Sequence, residues 1–220
     1  MIGPRIRQLT GERTGLYSPL GLRLVDDLTG QPPIGRVAAR LDVSDRGAWR
    51  PTEIASVTTA GGHLVYPGLG RHREPVGLPP TAYRVVVEAE YYRPMYAPRM
   101  RGFEFLVHPY NDTNPPAVVA IPTTAFLLPS AGYPFPAAVP VLRGRVLRRS
   151  GAPVVDALVA DGNRQDVLTD ERGEFALPLR WAEVGEDYRI DARDRPSGWV
   201  GSIRVRFPGD LSRGHIITIF

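Results

Sequence analysis

The fold of this chain is decided by one segment, VLRGRVLRRSGAPVVDALVADGNRQDVLTDERGEFALPL, which spans Val141 to Leu179. It opens with apolar residues at every second position, and a period of two is typical of a β-strand with one buried face. A break at Ser150-Gly151 is followed by a second apolar run. Turn-forming residues at 169–173 then separate that run from an alternation through Phe175 and Leu177, which predicts a β-hairpin.

The order of these elements resembles a known small domain. The chain is similar here to the carboxypeptidase regulatory-like module, a sandwich related in shape to transthyretin. The similarity lies in the order of a strand, the motif Gly-x-Pro-Val-x-x-Ala-x-Val and the motif Thr-Asp-x-x-Gly-x-Phe-x-Leu. The resemblance covers about 139–220 and implies an antiparallel β-sandwich that packs, spaces or binds. The matching residues are Gly151, Pro153, Val154, Ala157, Val159, Thr169, Asp170, Gly173, Phe175 and Leu177.

One enzyme family shares the transthyretin-like shape, the hydrolase of 5-hydroxyisourate. That resemblance would imply histidines and an arginine at a tetramer interface, together with a Tyr-Arg-Gly-Ser ending. The last residues here are Ile217-Thr218-Ile219-Phe220, and Tyr-Arg-Gly-Ser does not occur in the chain. No catalytic residue is therefore carried over. A hydrolase whose site forms at an oligomer interface stays an alternative.

The first half of the chain repeats the pattern of the second half. Thr29-Gly30-Gln31-Pro32 parallels Ser150-Gly151-Ala152-Pro153, and the stretch 57–66 parallels 168–177. Matched elements in one order predict a divergent tandem repeat. The predicted fold class is therefore all-β, with two small antiparallel sandwiches, transthyretin-like or immunoglobulin-like. We predict a basic arm at 1–15, a divergent sandwich at 16–112, a proline-rich linker at 113–138 and the second sandwich at 139–220.

The composition restricts the possible chemistry. The 220 residues include no cysteine, which excludes disulfides, thiolate nucleophiles and zinc-thiolate sites. They also include no lysine, which excludes a phosphate-loop lysine and a Schiff base. The net charge is +4, and the arginines are spread along the chain. We therefore expect solvated, ion-paired faces and no nucleic-acid surface.

No metal or cofactor site is predicted. The four histidines, His63, His72, His108 and His215, are scattered, and Arg71 and Arg73 beside His72 would repel a cation. Asp170 is explained by capping of the turn that contains Gly173, since the spacing of a calcium loop is missing. We expect neither a catalytic constellation, nor a metal, nor a cofactor.

Interface-type side chains concentrate in three places: the basic arm, the loop at 66–80, and the segment 91–101. Aromatic, methionine and arginine side chains are over-represented in the cores of protein interfaces. We therefore predict that these three places bind a partner protein. The candidate residues are Arg5, Arg7, Arg71, His72, Arg73, Tyr91, Tyr92, Arg93, Met95, Tyr96, Arg99 and Met100.

These observations predict a non-catalytic structural or binding component of a larger protein assembly. The expected partners are other subunits, including further copies of the chain itself. The segment 1–17 has no signal-peptide core, and no stretch approaches the roughly 20 apolar residues of a membrane span. We expect no membrane insertion and a particle assembled in the cytoplasm, such as a phage-tail-like or contractile injection device. Removal of a leader would instead make the protein extracellular.

A carbohydrate- or cell-surface-binding module is a further alternative. Such a module binds sugars or surfaces through exposed aromatic rings. It would require Trp49, Trp181 and Trp199 to stand exposed on one face.

Overall fold

The structure, a computed structural model, describes residues 17–96, 100–115, 122–162 and 164–220. These residues form sixteen β-strands and contain no helix, which confirms the predicted all-β fold of two small sandwich domains. Across the same residues, no helix is long and apolar enough to cross a membrane.

Nine strands build the first domain as two stacked sheets. They are β1 (Gly21–Asp26), β2 (Val37–Asp45), β3 (Ala48–Pro51), β4 (Val57–Thr58), β5 (His63–Val65), β6 (Thr81–Ala89), β7 (Tyr92–Pro94), β8 (Phe103–Val107) and β9 (Pro122–Pro129). One sheet has the order β4-β5-β1-β9-β7, and the other has the order β3-β2-β6-β8. The apolar strand β6 therefore has a strand on both sides.

Seven strands build the second domain in the same way. They are β10 (Val141–Arg148), β11 (Leu158–Ala160), β12 (Asp166–Leu168), β13 (Glu174–Pro178), β14 (Asp187–Arg193), β15 (Val200–Arg206) and β16 (His215–Ile219). Their sheets have the orders β13-β10-β16 and β12-β11-β14-β15.

The two domains share one strand order. In each, the first strand pairs antiparallel with a later strand and parallel with the last strand, so that β1 lies between β5 and β9 as β10 lies between β13 and β16. The facing sheets, β3-β2-β6-β8 and β12-β11-β14-β15, also correspond strand by strand. The short edge strands β4 and β7 have no counterpart in the second domain. This correspondence is the arrangement that a tandem repeat requires.

The structure differs from the predicted linker at 113–138. Strand β9 lies inside that segment and is the last strand of the first domain, between β1 and β7. Its two prolines, Pro122 and Pro129, stand at its ends, where the missing amide hydrogen interrupts no interior ladder bond. Ala125 and Leu127 alternate into the core. The predicted boundary at residue 112 therefore falls within the first domain.

Each domain has its own apolar core. The first is centred on Leu22, Leu41, Val85 and Leu127, and the second surrounds residues such as Phe175 and Ile217. Burying one such side chain contributes about 1.5–3 kcal/mol. In a chain without disulfides, these cores are the main source of stability.

A buried carboxylate fastens the end of the first domain. Asp26 accepts hydrogen bonds from the Leu28 amide at 2.8 Å, the Tyr133 hydroxyl at 2.8 Å and the Tyr92 hydroxyl at 3.2 Å. The rings of Tyr92 and Tyr133 also meet edge to face. Both tyrosines are therefore core residues of the first domain, and Tyr133 holds the chain against that domain after β9.

Candidate functional site

Arg93, one of the predicted partner residues, reaches from β7 into the second domain. Its guanidinium donates hydrogen bonds to Asp156 Oδ1, from Nη2 at 2.8 Å and from Nε at 3.2 Å. The other terminal nitrogen, Nη1, donates to Glu171. Only 20% of the Arg93 side chain is exposed. One arginine of the first domain therefore joins two carboxylates of the second.

The electrostatics of this group favour the charged forms. Burial alone would lower the pKa of Arg93, but the hydrogen bond to Glu171 and the charges of Asp156 and Glu171 more than offset it, so its pKa is raised. The hydrogen bond from Arg93 lowers the pKa of Glu171. The contact is an ion-pair triad of Arg93 with Asp156 and Glu171.

Local turns place the two carboxylates. Asp156 has a φ of 55°, in the left-handed region that aspartate tolerates better than most residues, and its amide bonds the Thr169 carbonyl at 3.1 Å. Glu171 lies in the β12–β13 turn, which Asp170 caps by accepting the amides of Arg172 and Glu174. Both acids therefore project from tight turns at one side of the second sandwich.

A second polar contact joins the domains beside the first. The Gln165 amide donates to Asp27 Oδ2 at 3.2 Å and accepts from Arg180 at 3.0 Å. Arg180 also donates to the Leu28 carbonyl at 2.8 Å. Burial raises the pKa of Asp27, and the hydrogen bond from Gln165 partly opposes that rise. Gln165 thus links a carboxylate of one domain to a guanidinium of the other.

Apolar packing completes the contact. Leu128 on β9 and Leu168 on β12 are both buried, yet neither belongs to the core of its own domain. Strands β9 and β12 touch across the domain boundary. We call the whole set the interdomain clamp: the Arg93 triad, the Asp27–Gln165–Arg180 chain, and Leu128 with Leu168.

Two clefts flank the clamp. The larger, of about 730 Å³, is lined by the triad and by Tyr96, Met100, Arg101 and Arg195. Arg195 donates to the Tyr96 carbonyl, and burial raises the pKa of Tyr96 to about 12. The smaller cleft, of about 410 Å³, is lined by residues that include Met95. Among the described residues, no group of three or more His, Cys, Asp or Glu side chains could hold a metal ion.

The structure does not bring the predicted partner residues together at one place. Tyr92 is buried in the first core, Tyr91 is half-buried, and Arg93 belongs to the clamp. Met95, Tyr96 and Met100 line the clefts. In the segment 91–96, predicted to bind a separate protein, Arg93 and the Tyr96 carbonyl therefore contact the chain's own second domain.

Arg71, His72 and Arg73 form a separate, exposed group. The His72 amide donates to the Tyr110 carbonyl at 2.8 Å, and Arg71 forms an ion pair with Asp112. Both partners, Tyr110 and Asp112, follow the end of β8 in the chain. Tyr96, in contrast, packs on Phe103, the first residue of β8. Two of the predicted surfaces thus lie at opposite ends of one strand. Arg5, Arg7 and Arg99 lie outside the described residues.

The three tryptophans do not share a face. Trp49 belongs to the first domain, half-buried with the Arg84 guanidinium 4.8 Å from its ring centre. Trp199 lies near Arg148, the last residue of β10. Trp181 follows β13, and the last residues of β13 pair with the first residues of β10. These are opposite ends of the second sandwich. The aromatic platform that a carbohydrate-binding module would need is not formed by these residues.

Sequence reasoning missed half of the clamp. Asp156 belongs to no motif, and Glu171 lies within the predicted turn at 169–173, where the sequence indicates no further role. Gln165 and Arg180 belong to no motif. One signal was available: the segment 91–101 is rich in arginine, and the turns at 156 and 170–171 are rich in acids. Opposite charges on two predicted domains indicate a contact between them.

No protein-family model and no curated protein sequence matches the chain. Among solved structures, the Bacillus anthracis TIE protein is 14% identical over 92% of this chain, with a TM-score of 0.28. This chain spans 33% of the length of that protein. The C-terminal fragment of the pilus adhesin SpaC from Lactobacillus rhamnosus GG is 10% identical, with 92% of this chain and 87% of that chain covered and a TM-score of 0.25. Likenesses this distant carry no argument about function.

Proposed function

We propose that this chain is a non-catalytic structural and binding subunit of a larger protein assembly. The observation that carries the proposal is the interdomain clamp. Polar, ionic and apolar contacts hold the two sandwiches together, so their outer surfaces keep a defined spacing. A subunit of an ordered assembly needs such spacing, because each neighbour must meet it in one geometry.

The outer surfaces supply the means of binding. Large apolar side chains stand exposed on several strands and loops, and exposed apolar surface is what protein contacts cover. The group of Arg71, His72 and Arg73 adds an exposed cationic site next to Tyr110. The most exposed apolar residues are Val76, Val184, Phe220, Leu106, Trp181 and Ile216.

A phage-tail-like or contractile injection particle is the finer form of the proposal. Purification of such particles from the native host tests this form directly, since the chain should be present in them in fixed stoichiometry.

The general proposal is tested by isolating the tagged full chain from its host at its native level. We expect it to elute with other proteins at a mass far above 24.2 kDa. Because the chain contains no lysine, cross-linking should use a carboxylate-reactive or photoactivated reagent. Elution as a lone monomer without cross-linked partners would overturn the proposal.

A matched pair of variants connects the clamp to assembly. Arg93→Glu places a third acid beside Asp156 and Glu171, so it should open the clamp and reduce incorporation into the assembly. Arg145→Glu breaks an exposed ion pair with Glu174 that lies within the second domain. It should be incorporated normally. Equal incorporation of both variants would remove the clamp from the proposal.

A further inference from the structure

The interdomain clamp joins unlike sides of two domains that share one topology. The first domain contributes the side formed by its last strand, β9, together with β7. The second contributes the opposite side, with β12 and the turns that carry Asp156 and Glu171. Apart from β4 and β7, which only the first domain has, the strands of both sides occur in both domains. One side of each domain is therefore unused in the clamp: the β16 side of the second domain and the β3–β4 side of the first.

The strand register identifies the residues that correspond between β9 and β16. Leu22 and Leu142 are fully buried near the start of β1 and β10, so they mark equivalent positions. Two residues later, Leu24 pairs with Ala125, and Gly144 pairs with His215. One residue further along, Phe126 therefore corresponds to Ile216.

These two side chains point outward, with exposed fractions of 49% for Phe126 and 59% for Ile216. The residues that follow them, Leu127 and Ile217, both point into their own cores. Phe126 lines the smaller cleft at the clamp, beside the buried Leu128. On the second domain, Ile216 thus takes the position that Phe126 has on the side that the first domain presents to its neighbour.

The β16 side of the second domain carries an apolar patch. Val200 and Phe220 exchange both backbone hydrogen bonds, at 3.2 and 3.3 Å, so their side chains are neighbours. Phe220 is 73% exposed, and Val200 is also exposed. Ile216 lies on β16, four residues before Phe220, which directly follows the strand, and its side chain is 59% exposed. We call Val200, Ile216 and Phe220 the β16 patch.

The unused side of the first domain is apolar as well. Strand β4 is the edge of one sheet and β3 is the edge of the other, on the side away from β9. Val57 on β4 is 53% exposed, and Ile54, in the connection between β3 and β4, is exposed too. In strand order, β3 corresponds to β12, the strand that the second domain contributes to the clamp.

We propose that a second copy of this chain is the partner, docking its β3–β4 side on the β16 patch. The contact uses, between molecules, the strands that correspond to β9 and β12 of the clamp, but without the Arg93 triad, because β7 has no counterpart in the second domain. It is heterologous, because the two surfaces differ, and each bound copy presents a fresh β16 patch, so growth continues past the dimer, into a ring where the rotation closes and into a filament where it does not. The inference rests on the proposed function, for which it names the partner.

Sedimentation velocity of the purified full chain tests this contact. The average mass should rise steadily with concentration, with no stop at the dimer. Ile216→Glu and Val57→Glu should each weaken association by about thirtyfold or more, since each buries a charge at the contact centre. Val184→Glu and Val76→Glu, at exposed sites outside the two surfaces, are the matched controls and should associate like the parent chain.

Mixing the two defective variants gives the sharpest result. The Ile216→Glu chain keeps an intact β3–β4 side, and the Val57→Glu chain keeps an intact β16 patch. One molecule of each variant can therefore form one intact contact, between the β3–β4 side of the Ile216→Glu chain and the β16 patch of the Val57→Glu chain. The mixture should stop at this one-to-one dimer, of twice 24.2 kDa. Because all these side chains are exposed, thermal unfolding of each single variant should match the parent.

Three results would overturn the inference: a parent chain that stays monomeric at every concentration, a mixture that does not dimerise, or controls that are as defective as the test variants. A monomeric chain that still elutes with other proteins from its host would leave the proposed function standing and remove only the self-contact.

Discussion

Gly173 is a residue whose role follows from geometry alone. It lies in the β12–β13 turn with a φ of 73°, and a Cβ atom added there would stand 2.6 Å from the Val146 carbonyl oxygen. The left-handed backbone and the close approach both require glycine. The turn also sets the direction of Glu171, so this position contributes to the fold and to the clamp.

Replacing Gly173 should destabilise the second domain more than replacing Gly151. Both have positive φ, but a Cβ at Gly151 would meet nothing within 4 Å. Gly151→Ala should therefore cost about 1 kcal/mol, from backbone strain alone. Gly173→Ala should cost about 1–3 kcal/mol more, since overpacking adds to that strain.

Urea unfolding of the two variants measures this difference. Equal losses would mean that the close approach to the Val146 carbonyl is relieved at no cost, and the packing argument would fail.

At the scale of single elements, β16 shows how alternation separates core from surface. Ile217 and Ile219 are fully buried in the core, whereas the side chain of Ile216 is exposed to solvent. The strand pairs in parallel with β10 over five residues, from Gly144↔His215 to Arg148↔Ile219. Neighbouring isoleucines of one strand therefore have opposite environments.

Ile217→Ala should lower the free energy of unfolding by about 2–5 kcal/mol, because it leaves a cavity in the second core. Ile216→Ala should change it by no more than about 0.5 kcal/mol. Thermal or urea unfolding of the monomer distinguishes the two. A similar loss for both variants would contradict the register of β16.

The strands were largely predictable, and the clamp was not. Alternation and turn residues predict β10, β13 and the central β6 from local sequence alone. The run from Ala125 to Leu128 is apolar enough to dock on a domain or add an edge strand, but its proline-rich surroundings are typical of a linker and hide an interior strand. Only Pro122 and Pro129 enter β9, at its ends. The hydrogen bonds between the two domains join residues 63 to 152 positions apart, and no local pattern records such pairings.

At the scale of the whole molecule, the clamp makes the arrangement of the domains sensitive to acid. Arg93 lowers the pKa of Glu171. A lowered pKa contributes stability above the unfolded value, about 4.3 for glutamate, and this stability is lost as the pH falls through the folded value. Glu171 is largely exposed, so its contribution is about 1 kcal/mol or less.

Protonation of Glu171 in acid should therefore weaken the Arg93 contact of the clamp, whereas Asp27, whose pKa is raised, contributes with the opposite sign. Between pH 7 and about pH 3, small-angle scattering should show a wider spread of interdomain distances. Glu171→Gln should shift the neutral-pH distribution toward the acid one. Glu174→Gln is the control, because Glu174 stands directly after the same turn, at the start of β13, but pairs with Arg145 inside the second domain. If both substitutions act alike, the effect does not come from the clamp.

The parallel pairing of first and last strands, β1 with β9 and β10 with β16, has a mechanical consequence. It puts the points where the backbone enters and leaves each sandwich at opposite poles. Tension along the backbone would then slide the two strands past one another, loading all of their hydrogen bonds simultaneously instead of unzipping them singly. Each sandwich would act as a stiff link that keeps its length under pull until the whole ladder shears.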